Sequence, residues 1–183
     1  MKREAIVFLQ NAWKRSPIHP WIAETREDCD WGRDTPAWYR DEVDWPRASW
    51  LWATSLCRTG KRLRLMYPDL FNSSRGGGVW LDNTTPKCGI GNSGIELPPD
   101  PGYIQRVLDM VQPEYVVACG KSACESVGKL WAGPMLFLPH PAYRVATNQL
   151  FFVAGIVARR RENKRVAITQ ARPPGGVIVT EVP

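Results

Sequence analysis

His140 is one of only two histidines in the chain, and it stands in Pro139-His140-Pro141-Ala142-Tyr143-Arg144, a proline-stiffened turn that continues into an aromatic and a cation. An imidazole can donate, accept or carry a proton near neutral pH, which suits acid–base work or the stabilisation of a developing negative charge. A lone histidine is more often a packed side chain than a catalyst, so its company decides. Three further polar clusters close apolar runs: Gln10-Asn11-Ala12-Trp13 after Ala5–Leu9, Asn83 after Val79-Trp80-Leu81-Asp82, and Gly120-Lys121-Ser122 after Tyr115–Cys119. Amides offer a donor and an acceptor together and can hold a water or read a planar polar edge. Four such clusters at the ends of four strands would make one site.

The elements that must position them follow from hydrophobic patterning. Ala5–Leu9, Val79–Asn83, Tyr115–Cys119 and Met135–Leu138 are short, almost uninterrupted apolar runs, as expected of strands buried on both faces of a parallel sheet. Helical spacing predicts helices from about Pro46 to Met66 with a basic exposed face (Arg58, Lys61, Arg62, Arg64), from Pro101 to Val111, from Ala123 to about Trp131, and from Asn148 to about Arg161. This alternation implies an α/β fold with a mostly parallel sheet covered on both faces. In such folds sites gather at the carboxyl ends of the strands, where Asn11, Asn83, Lys121 and His140 would converge.

Two motifs are deceptive. Gly89-x-Gly91-x-x-Gly94 has dinucleotide-fingerprint spacing but leads into Ile95-Glu96-Leu97-Pro98-Pro99 instead of opening a helix. Its free backbone N–H groups, around Gly91 and Asn92, remain suited to phosphate contact. Gly120-Lys121-Ser122 ends like a P-loop, but the required upstream glycine falls at Tyr115.

With 183 residues and 44% hydrophobic content, a single domain is expected, with a Trp/acid-rich insertion at about 14–45 and a tail, 171–183, that the sequence leaves open between a short strand and disorder. No apolar stretch is long enough to span a membrane, and the first residues lack a signal-peptide pattern, so a cytoplasmic, monomeric protein is expected. The five cysteines are scattered without a CxxC pair, and neither a metal site nor any cofactor is expected. Net charge is +6, with Arg159, Arg160, Arg161, Lys164 and Arg165 clustered late, which suits a polyanion such as DNA or RNA.

Taken together and in order, Leu9-Gln10-Asn11-Ala12-Trp13, Val79-Trp80-Leu81-Asp82-Asn83 and Leu138-Pro139-His140-Pro141-Ala142 resemble the water-activating loop, the base-reading strand and the histidine loop of the uracil-DNA glycosylase superfamily. Val116–Ala123 is similar to the third strand and following helix of that family, and the likeness covers roughly residues 4–13 and 79–160. The resemblance implies a three-layer α/β/α sandwich with a four-stranded, mostly parallel sheet. It also implies a monofunctional DNA glycosylase that flips a pyrimidine out of DNA and hydrolyses its N-glycosidic bond. His140 and Asn11 would be catalytic, with Gln10, Trp13 and Asn83 binding the base. Gly91, Asn92, Lys121, Ser122, Tyr143 and Arg144 would contact DNA, Tyr143 or Arg144 as the wedge. Asn11 stands where the most active branch has aspartate, so slower turnover is expected, because an amide cannot take a proton. Ala142 replaces the usual serine, and Trp13 replaces the tyrosine of uracil-specific members.

Residues 24–44 carry eight acids against three arginines, and seven of the nine tryptophans lie in the first 52 residues. Aromatic faces with carboxylates suit a sugar better than a phosphate. They lead to the expectation of a bulky substrate base such as glucosylated 5-hydroxymethylcytosine of phage DNA, as in the antiviral-defence branch of the superfamily. The alternatives are a uracil or thymine mismatch repair glycosylase and a non-catalytic DNA-binding homologue.

Overall fold

The computed structural model describes residues 3–10, 12–13, 58–68, 70, 78–85, 88–89, 97–160, 163–171 and 175–183. The insertion at 14–45, Asn11 and the loop holding Gly91 and Asn92 lie outside these residues, as does the first part of the helix expected from Pro46.

Eight strands and four helices are formed among the described residues: β1 (Arg3–Leu9), β2 (Ala12–Trp13), α1 (Arg58–Met66), β3 (Val79–Asn83), β4 (Cys88–Gly89), α2 (Pro101–Val111), β5 (Pro113–Cys119), α3 (Lys121–Leu130), β6 (Met135–Leu138), α4 (Asn148–Arg159), β7 (Arg165–Gln170) and β8 (Val177–Glu181). Six strands make the main sheet in the order β3-β1-β5-β6-β7-β8, parallel throughout except for β8, which runs antiparallel to β7. The α/β class and the mostly parallel sheet agree with the patterning. The count of four strands does not, because Arg165–Gln170 alternates half-buried and buried positions and lacks the continuous apolar run by which the other strands are recognised. The tail forms β8 on the outer edge, with Ile178 and Val179 exposed.

Strand alternation shows which face each helix covers. Tyr115, Val117 and Cys119 point to one side of β5, and the Tyr67 hydroxyl just after α1 lies 2.6 Å from that of Tyr115. Val157 and Ala158 of α4 line a small cavity with Tyr115, Leu136 and Val166, which places α4 on the same face. On the other face, Tyr103 of α2 donates to Asp82 at 3.0 Å and Arg165 donates to the carbonyl of Gly128 in α3 at 3.0 Å. The β6–β7 crossover therefore runs over the opposite face from the β5–β6 crossover and has the opposite hand, an uncommon arrangement. Its consequence is local: the chain leaving β6 swings across the carboxyl edge toward α1, carrying His140 with it.

Caps and one glycine set the helices. Asp100 accepts from the Tyr103 backbone N–H at 2.9 Å and Pro101 opens α2, while Thr147 caps α4 by accepting from Leu150 N–H. In α4, a Cβ on Gly155 would lie 2.9 Å from backbone atoms of Met66, so only glycine lets α4 pack this closely on α1. The core is continuous from Ile6, Phe8 and Val116 on one face to Leu63, Met66, Leu150 and Phe151 on the other.

Candidate functional site

Three adjacent strands end together. β1 runs into Gln10, β5 into Gly120 and β6 into Pro139-His140. Gly120 is the point of closest approach: it has φ +98 and ψ 156, and a Cβ there would lie 3.3 Å from both Gln10 Nε2 and His140 Cβ. That backbone conformation is essentially restricted to glycine, so the residue both makes the turn and lets the two side chains converge. Its N–H donates to the Leu138 carbonyl at 2.8 Å, which extends the β5–β6 ladder to the edge.

His140 is partly buried, and burial lowers its pKa from 6.5 to about 4, so the ring is neutral at physiological pH. The Ala142 backbone N–H donates to His140 Nδ1 at 3.1 Å. A neutral imidazole carries one proton, and with Nδ1 accepting it must sit on Nε2. The site thus presents a neutral N–H donor, fitted to stabilise an anion as it forms and unfitted to deliver a proton as a strong acid.

On the other side of β1, Thr84 fastens the end of β3 to Gln10. Its N–H donates to the carbonyls of Leu9 and Gln10 at 2.9 and 3.1 Å, and its hydroxyl donates to the Gln10 carbonyl at 2.7 Å. Asn83, immediately before it, is 2% exposed, and its Nδ2 has no hydrogen-bond partner. Leaving a buried amide donor unmade costs about 1–3 kcal/mol, a penalty that a ligand acceptor would relieve. Asp82, fully buried on the opposite face, accepts from Trp80 Nε1 at 3.2 Å, from Tyr103 O–H at 3.0 Å and from the Asn83 N–H at 2.7 Å. It holds the Asn83 backbone rigidly from behind.

The His140 loop is clamped from α1. Arg62, expected on the helix's exposed basic face, is instead 8% exposed and donates to the carbonyls of Pro141 at 2.5 Å, Tyr143 at 2.9 Å and Ala146, while its Nε reaches Asn148 Oδ1 at 3.4 Å. Phe151 lies beneath the guanidinium, 5.6 Å from ring centroid to carbon. Burial, and then the charge of Arg58, lower the Arg62 pKa. The clamped loop projects Tyr143, 55% exposed, and Val145, with Arg144 exposed between them.

Of the residues singled out by sequence, Gln10, Asn83 and His140 are placed along one edge, with Lys121 and Ser122 in the first turn of α3 beside Gly120 and Tyr143 and Arg144 at the loop's tip. Lys121 is exposed and sits 3.9 Å from Glu125, a surface pair that contributes little to stability. Trp13 lies on β2, which pairs with β4 through Ala12↔Cys88 and Trp13↔Gly89, so the loop after β1 and the glycine-rich loop are joined. Asn11, Gly91 and Asn92 lie outside the described residues.

Gly120, Asp82, Thr84 and Arg62 act as structural supports, a role that residue type and spacing do not assign: Gly120 reads only as part of a P-loop-like turn, Arg62 only as part of an exposed basic face, and Thr84 carries no signal, whereas Asp82 stands out as a carboxylate inside a largely apolar strand. Among the described residues no group of three or more His, Cys, Asp or Glu is placed to hold a metal ion, and no helix is long and apolar enough to cross a membrane. Compared with known proteins, the chain matches no family model, no curated protein and no solved structure.

Proposed function

We propose that the protein is a DNA glycosylase that takes a pyrimidine nucleotide out of the helix and hydrolyses its N-glycosidic bond. The observation that carries this reading is the unpartnered Asn83 amide, buried at a strand end on the edge that also bears the neutral His140 donor. A flipped pyrimidine presents a planar edge with an acceptor for the amide and an exocyclic oxygen for His140 Nε2–H. As the bond breaks, its electron pair leaves with the base and builds negative charge on that oxygen. A preorganised neutral donor stabilises that charge. Water held by Asn11 adds to the sugar carbon and loses its proton to the departing base or to solvent, giving a free base and an abasic site. Tyr143 and Arg144, at the tip of the clamped loop, would fill the gap left in the stack.

The test is base release by mass spectrometry from DNA carrying uracil, thymine mismatches, 5-hydroxymethyl or glucosylated pyrimidines. The glucosylated bases belong in the panel because the acidic, tryptophan-rich stretch at 14–45 has the composition of a sugar-binding surface. Release of one base, lost in His140→Ala while DNA affinity is kept, is the expected result. DNA binding without release of any base overturns catalysis and leaves a DNA-binding protein.

A further inference from the structure

Behind the His140 loop, on the α1 side, lies a cleft of about 420 Å³ lined by Arg58, Lys61, Arg62, Arg144 and Asn148. We propose that this cleft seats a backbone phosphate of a nucleic-acid strand. Four of its five lining residues are cations, drawn from α1 and from the loop after β6. Arg58 and Lys61 lie one turn apart on α1, so both face the same side. Arg62 forms the floor and Arg144 the wall toward the loop. Asn148 is the first residue of α4, whose first turn holds no acid, so the positive end of that helix points at the same space.

No described carboxylate pairs with Arg58, Lys61 or Arg144. The cleft is therefore a concentration of like charge that no carboxylate among the described residues compensates, at a real electrostatic cost. An anion with several acceptor oxygens, such as a phosphate, fits that donor set, because guanidinium forks match phosphate oxygens two at a time. Its position favours a polymer over a small phosphate. The cleft opens beside the exposed Tyr143–Arg144 tip, where a strand held at its backbone would continue onto the loop. The seat also reports on the site, since Arg62 lines the cleft and holds the Pro141 carbonyl next to His140. The inference rests on the glycosylase reading only for the identity of the polymer.

The experiment compares the intact chain with Arg58→Gln/Lys61→Gln and with a control pair on the opposite face, Arg106→Gln/Lys129→Gln. Affinity for a fluorescent DNA duplex is measured by anisotropy across a salt series. Removing one cation from a phosphate should flatten the slope of log K against log salt by about 0.9, so the cleft pair should flatten it by roughly 2 and weaken binding severalfold or more. The control pair should stay near the unmutated slope. Equal effects in both pairs, or none in either, overturn the proposal. Calorimetry with deoxycytidine monophosphate distinguishes the sources of phosphate: binding that the cleft pair abolishes, with the DNA slope unchanged, assigns the seat to free nucleotides and overturns the polymer assignment. Base release is followed in parallel. A flattened slope without release of any base keeps the seat and sinks the glycosylase reading; release with an unchanged slope does the reverse.

Discussion

Protonation of His140 sets both the stability of the loop and the donor that the site presents. Burial lowers its pKa from 6.5 to about 4. The unfolded chain therefore takes up a proton as pH falls below about 6.5, while the folded chain resists until about 4. Stability contributed by the neutral ring is present above 6.5, falls through that window, and is lost below about 4. The shift of 2.5, the difference between 6.5 and 4, corresponds to about 3 kcal/mol at most. Between about pH 7 and pH 4.5 the chain should lose about 2 kcal/mol more stability than a His140→Gln variant, measured by urea unfolding of both. The ring proton should titrate near pH 4 by NMR, assigned by its absence in His140→Gln. Base release should show no His140-dependent fall as pH rises from about 6 to 8, because the donor is the neutral tautomer. A titration midpoint at or above about 6.5, or turnover falling as pH rises through that value, would mean a cationic donor and refute the assignment of the proton to Nε2.

The same edge makes three further predictions. Gly120→Ala forces a side chain into a glycine-only conformation and against Gln10 and His140, so it should destabilise by about 1–3 kcal/mol in urea titrations and cut turnover by more than the stability change explains. Arg62→Met removes the donors to Pro141, Tyr143 and Ala146, two of these bonds being buried; a destabilisation of about 2–4 kcal/mol is expected, with faster amide exchange across residues 141–147 as the signature of a released loop. Asn83→Leu replaces a buried, unsatisfied amide by an apolar side chain of related shape, so stability should hold or rise by up to about 1 kcal/mol while base release disappears; destabilisation by about 2 kcal/mol would show that the amide is satisfied within the fold.

The parts of the fold legible in the sequence are those with an unmixed signal. Val79–Asn83 and Met135–Leu138 are bounded by punctuation and largely apolar, and the strands have those limits. Pro101 at the start of α2 and the 3.6-residue spacing to Val111 likewise mark a helix with those ends. Arg165–Gln170 escapes the patterning because only two of its six residues are buried, and a strand covered mainly on one face reads like a polar connection. Arg62 is misplaced by periodicity for a related reason. Periodicity assigns an arginine to the solvent face, yet here the loop returning from β6 lies over that part of α1, and its carbonyls demand donors that water cannot supply once buried. The candidate site is legible as a list of polar strand ends. Its working detail, a tautomer chosen by one backbone N–H and a convergence permitted by one glycine, depends on the folded geometry of the loops and not on residue type alone.

That geometry also explains why the site is built at the expense of local stability. Three features along one edge are unfavourable in isolation: Gly120 in a backbone region closed to other residues, a histidine kept neutral by burial, and an amide donor left unmatched at Asn83. Each is held in place by a better-satisfied neighbour. The β5–β6 ladder fixes Gly120, the Arg62 clamp fixes the loop of His140, and Asp82 with Thr84 fixes the end of β3. Strain at a site together with rigid support behind it is the arrangement expected where donors must wait, already oriented, for charge that develops only during a reaction.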